Sequence, residues 1–145
     1  MTRRARILIV VFIAVLLASC SNSRGRITGA DAPPGAVPDL AGNYVLNGVD
    51  PEGDEYGGVL TIMPGQAPGQ YNLQWIVTGN IQEGTGVVEG NRLRLEWRSS
   101  AVDPTKSTRG HGAYTITTGR ELYGMRSVDG AEGGAKEKAF PNLRR

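Results

Sequence analysis

The chain carries one cysteine and one histidine in 145 residues, and that scarcity removes most site chemistry at once. A zinc centre takes three or four Cys, His or carboxylate ligands, so no metal is expected. A single cysteine forms no disulfide within the chain, so stability must come from apolar burial and closed hydrogen bonding. The lone histidine, His111, lies between Gly110 and Gly112. Ser99, Ser100 and Ser107 precede it, but no nucleophile, base and orienter fall into a recognisable set. Neither an enzyme nor a cofactor is expected.

Charge of one sign is also missing. Sixteen Lys and Arg face fourteen Asp and Glu, and Arg92, Arg94 and Arg98 alone do not make the basic stripe that nucleic acid requires. The longest apolar run, residues 7–17, falls short of the about 20 residues that cross a bilayer as a helix. No window of twelve or more residues has helical periodicity.

What is present starts with that run. Arg3, Arg4 and Arg6 precede it, and Ala18-Ser19 supplies small residues before Cys20. This is the layout of a cleavable export signal over residues 1–19. Leu17-Ala18-Ser19-Cys20 resembles the lipobox of bacterial lipoproteins. The resemblance implies that the Cys20 sulfur receives a diacylglycerol and that the chain is cut before it. It also implies location at the cell membrane or outer membrane, held by a lipid anchor. Two or more acyl chains anchor stably where one binds reversibly. Without the three signal arginines the charge balance is thirteen basic to fourteen acidic residues, so the basic pI belongs to the signal.

Residues 20–38 are rich in Gly, Pro and Ser and lack apolar periodicity, which predicts a flexible tether with a reach of roughly 25 Å. Residues 39–142 are enough for one domain. Their periodicity is two. Tyr71, Leu73, Trp75 and Val77 alternate with Asn72, Gln74 and Thr78, and Leu93, Leu95 and Trp97 alternate with Arg92, Arg94, Glu96 and Arg98. That is the pattern of strands with one buried and one wet face. Further strands are predicted over 42–48, 57–63, 81–88, 112–117, 121–127 and 134–140. Gly-rich turn signals at 64–69, 78–80, 89–91, 118–120 and 129–134 fall between them. The expectation is an all-β, up-and-down antiparallel meander of about eight short strands, a closed or nearly closed lipocalin- or avidin-like barrel. The outward Arg, Arg, Glu and Arg of 92–98 exclude an outer-membrane barrel, whose outer face is apolar.

Tyr56 with Gly58, Tyr71 with Trp75, "GTG" at 84–86, Gly90-Asn91 before Leu93 and Leu95, Tyr114 with Ile116, and Leu122 with Gly124 form a further pattern. It resembles a family of small exported bacterial β-proteins, some labelled fibronectin-binding.

Asp50, Glu52 and Asp54 alternate like the opening of a calcium loop, but Glu55 replaces its glycine and Thr61 its twelfth-position glutamate. A turn built by Asp-Pro and Gly is the expectation there. Tyr44, Tyr71, Trp75, Trp97 and Tyr114 are the candidate ligand-lining residues, either an aromatic cup or plain core. The loop from Ser99 to Gly110, with Lys106 and Arg109, is longer than a hairpin needs. Two readings stay open. The leading one is a non-enzymatic envelope lipoprotein that contacts a macromolecule: host matrix, a partner protein or cell wall. The alternative is a carrier of a small apolar or amphipathic ligand inside the barrel.

Overall fold

A computed structural model describes residues 25–100, 105 and 107–143. The expected signal, Cys20 and most of the 99–110 loop interior, Lys106 included, lie outside the described residues. Eight antiparallel strands follow in order: β1 (Gly42–Val49), β2 (Glu55–Pro64), β3 (Gln70–Val77), β4 (Asn80–Glu89), β5 (Arg92–Ser99), β6 (Arg109–Ile116), β7 (Leu122–Val128) and β8 (Ala135–Pro141). Each pairs with the next, and β8 pairs back onto β1 from Tyr44↔Pro141 to Val49↔Lys136. The sheet is a closed up-and-down barrel, as the alternation and turn spacing predict, and closure leaves no strand edge unpaired.

Alternation decides what faces inward. Tyr44 and Leu46, Leu60 and Ile62, Leu73 and Trp75, Leu93 and Leu95, and Tyr114 and Ile116 enter as pairs two residues apart, all at most 4% exposed. An eight-stranded barrel is about wide enough for side chains to fill it. Trp75 fits because β4 gives up volume: a Cβ on Gly84 would stand 3.1 Å from the Trp75 ring and 2.2 Å from the Glu96 carbonyl oxygen. The β3–β4 hairpin turns on Thr78 and Gly79, both with positive φ (49° and 79°). Two such residues match the twist of the flanking strands.

The N-terminal segment departs from the expected tether. From Thr28 onward it lies across one end of the barrel. Glu121 accepts from the amides of Thr28 (3.1 Å) and Gly29 (2.7 Å) and from Thr28 Oγ1 (2.9 Å). The Ala32 amide donates to the Ile116 carbonyl at 2.8 Å, and Ala32 and Leu40 are both buried. Hydrogen bonds to one carboxylate hold backbone that has no periodicity of its own. This plug closes the end formed by the β2–β3, β4–β5 and β6–β7 turns. Among the described residues, nothing covers the opposite end in the same way.

Candidate functional site: the open mouth of the barrel

Inward positions near the open end carry polar side chains. Arg126 of β7 and Glu137 of β8 are 6% and 2% exposed, so an ionised pair lies inside the barrel. The pairing is bidentate: Arg126 Nε donates to Glu137 Oε2 at 2.8 Å and Nη2 to Oε1 at 2.7 Å. Tyr56 donates its hydroxyl to Oε1 at 2.5 Å, and Tyr114 donates to Oε2. Arg126 Nη1 donates to Gln82 Oε1 at 2.7 Å. The guanidinium lies over two indoles, 4.6 Å from the Trp75 ring centroid and 5.1 Å from that of Trp97. Buried charges persist when they are paired and hydrogen-bonded, and both partners here are.

Titration follows the packing. Burial and then the Glu137 charge push Tyr114 well above the ordinary phenol range, and the same two causes raise Tyr56. Burial alone would lower Arg126, but its hydrogen bonds to Glu137 and the charge of that carboxylate outweigh burial and raise it. Arg126 is therefore a permanent cation, and both phenols stay protonated donors.

Above this cluster opens a cavity of about 460 Å³. Tyr56, Val77, Gln82, Trp97 and Arg126 line it, and Asp50, Asp54, Glu55 and Glu132 stand around it. Arg126 has five N–H groups, of which three are used among the described residues, so two join the cavity's supply of donors together with the Gln82 amide. The wall of the cavity is aromatic and its floor is rich in donors. The Trp97 indole N–H is buried without an acceptor among the described residues.

The five aromatics separate along the barrel axis. Trp97 alone among them reaches the mouth cavity. Trp75 and Tyr114 form its underlying layer, with Trp75 Nε1 donating to the Tyr114 hydroxyl at 3.3 Å. Tyr44 and Tyr71 sit at the plugged end. Tyr44 donates to the Leu40 carbonyl at 2.7 Å, and Tyr71 accepts from the Leu40 amide at 3.2 Å and donates to Asp39 Oδ1 at 3.1 Å. Those two fasten the plug. Tyr56 enters the sequence reading only through its pairing with Gly58, and Gln82, Arg126 and Glu137 do not enter it as site residues, although each is in phase with inward neighbours: Tyr56 with Leu60, Arg126 with Leu122, Glu137 with Ala139, Gln82 with Gly84 and Gly86.

The remaining sequence candidates lie outside the mouth's interior. His111 faces outward on β6, with Nδ1 3.0 Å from Asp129 Oδ1. Asp50 closes the β1–β2 turn, accepting the Asp54 amide on Oδ1 at 2.8 Å. Arg109 is exposed, 3.8 Å from Asp129 Oδ2. A wider trough of about 1310 Å³ crosses the outside of the barrel, with Gln74, Glu83, Arg94, Glu96, Arg98 and His111 along it.

No known protein family and no curated protein matches the chain. Solved structures do. A redesigned β-barrel, mFAP1, bound to DFHBI has a TM-score of 0.54 at 13% identity, over 69% of this chain and 91% of that one. A fluorescence-activating barrel from de novo design has a TM-score of 0.53 at 16% identity, over 70% and 91%. A further redesigned barrel has a TM-score of 0.55 at 12% identity, over 69% and 87%. The chain is a lipocalin-shaped eight-stranded cup. At these identities the likeness carries the fold alone, so the chemistry of the cup has to be read from its own residues.

Proposed function

We propose that the cup binds a small amphipathic molecule at its open mouth and acts as a non-enzymatic carrier. The observation that carries this reading is the cavity of about 460 Å³ above the Arg126–Glu137 floor, within the size range of small-molecule sites. Trp97 and Tyr56 offer apolar area, while Arg126 and Gln82 offer hydrogen bonds to an acceptor. The floor's own charge is neutralised by Glu137, and the rim is acidic. A ligand with an uncharged acceptor such as a carbonyl fits better than an anion. A structurally similar redesigned barrel holds DFHBI, which supports a barrel of this build as a container. In the same reading the carrier is exported and tethered to the cell membrane or outer membrane through lipidated Cys20.

Two measurements test it. Native mass spectrometry of the full chain purified from cells reports retained small molecules directly. Titration with 1-anilinonaphthalene-8-sulfonamide, a neutral aromatic acceptor probe, is expected to give saturable one-to-one binding that weakens at least tenfold in Trp97→Ala. Binding that is absent, or indifferent to Trp97 and Arg126, would overturn the carrier. Cys20→Ala is expected to move the protein from the membrane fraction to the soluble one; retention in membranes would overturn the anchor.

The outer trough of about 1310 Å³ favours a second reading, contact with a protein or cell-wall partner across β3–β6. Substitutions at Arg94 and Arg98 would impair that contact and leave probe binding at Trp97 unchanged.

A further inference from the structure

Strand register gathers scattered outward residues into one row. Phe140, Val45, Val59, Ile76 and Ile81 are successive Cα partners across β8, β1, β2, β3 and β4. Val45, Val59, Ile76 and Ile81 are 43–46% exposed, and Phe140 is half-buried. The row follows the curved barrel wall, since β8 and β4 lie four strands apart in the ring of eight, and its central three residues, on β1, β2 and β3, share one side over about 10 Å. A wet barrel face carries polar residues at such positions, and the flanking rows do: Asn43, Thr61, Gln74 and Glu83 on one side, Lys138 and Asn47 on the other.

The described chain starts at one end of this stripe. Gly25 packs so closely that a Cβ there would fall 2.7 Å from Phe140 Cε2 and 2.9 Å from Asn47 Nδ2. From Thr28 the backbone is held by Glu121. Only residues 21–24 separate Cys20 from the Phe140 contact. Even fully extended, the chain from Cys20 to Gly25 spans at most about 18 Å.

We infer that the central part of this stripe, Val45–Val59–Ile76 with Phe140 at its edge, rests on the surface of the lipid bilayer in which the Cys20 anchor is inserted. This rests on the lipidation proposed above. Acyl chains at Cys20 bring the bilayer within that short reach of Phe140, and the apolar row is the face that begins there. Arg26, Lys136 and Lys138 are exposed beside that end. Their stems can lie over apolar surface while their charges meet headgroup phosphates. The anchor supplies attachment and the stripe sets which side of the barrel faces down.

The test uses the full chain, lipidated in a bacterial host and placed in phosphatidylethanolamine–phosphatidylglycerol vesicles containing nitroxide-bearing lipid. Ile76→Cys on the stripe and His111→Cys on the far side of the barrel each take a bimane fluorophore, which a lipidated Cys20 cannot. Quenching at position 76 is expected to exceed that at 111 at least threefold. Intact mass reports the lipid on Cys20 independently. Lipidated protein with equal quenching at both positions overturns the docking and leaves the anchor standing. An unmodified Cys20, or retention of residues 1–19, overturns both. Shielding of position 76 that rises with protein concentration, without nitroxide quenching, assigns the stripe to a second copy and overturns bilayer docking.

Discussion

Inside the barrel, both oxygens of Glu137 are bridged by the guanidinium of Arg126, at 2.8 Å and 2.7 Å, with neither side chain more than 6% exposed. The pair joins β7 to β8 and forms the floor of the mouth. Two tyrosine hydroxyls complete the carboxylate's hydrogen bonding, and two indole faces cover the guanidinium.

Removing one member leaves the other buried without its counter-charge. Arg126→Leu or Glu137→Leu alone is expected to lower stability by about 3–5 kcal/mol. The double variant should lose less than either single one, because no orphaned charge remains. Thermal and urea unfolding of the four proteins checks this, and a double variant as damaged as the sum of the singles would contradict it.

Trp75 is completely buried between the apolar layers and the guanidinium. Truncation to alanine removes its packing and leaves the Tyr114 hydroxyl without a donor. The expected loss is about 3–5 kcal/mol, read as a fall in unfolding midpoint. Trp97→Ala at the half-open mouth should cost less. An equal cost at both positions would make the mouth as tightly packed as the core.

Thr78 holds a positive φ of 49° in the hairpin turn beside the mouth. A β-branched residue is strained there, whereas asparagine tolerates the conformation. Thr78→Asn is expected to stabilise the protein by about 1 kcal/mol. No gain in the unfolding midpoint would mean that the turn relaxes in solution to another geometry.

The strands were legible because one face of each is wet: Leu93, Leu95 and Trp97 against four charged residues leaves a single phase. The mouth was harder to see. "AKEKAF" has two lysines around Glu137 and looks solvated throughout, yet Glu137 shares the inward phase of Ala139. Arg126 likewise shares the phase of Leu122 and Gly124. A polar residue at an inward position signals an internal partner only once the facing strand is known, and pairing across β7 and β8 is not written in either strand alone. Docking of residues 28–40 had no local signal, since Ala32 and Leu40 are isolated apolar positions held by contacts distant in sequence. Tyr44 and Tyr71 were expected as cup or core, and their roles as fasteners of that plug depend on its presence.

The plug gives the chain an acid-sensitive joint. Burial would raise the Glu121 pKa, but donation by the Gly29 amide and by Thr28 outweighs it, and the net shift is downward from 4.5. A carboxyl whose folded pKa is depressed contributes its stabilisation above the unfolded value and loses it as pH falls through the folded one. The Thr28–Gly29 contact should therefore hold at neutral pH and loosen below 4.5. Glu121→Gln is the necessary comparison, because it keeps the side chain's size and removes its charge. Amide exchange at Gly29 should accelerate, relative to the intrinsic rate, as pH drops from 7 to 3 in the parent protein. In Glu121→Gln the same amide should already be weakly protected at pH 7 and change little. Gly29 protection that is constant across this range in the parent would remove Glu121 as the clasp.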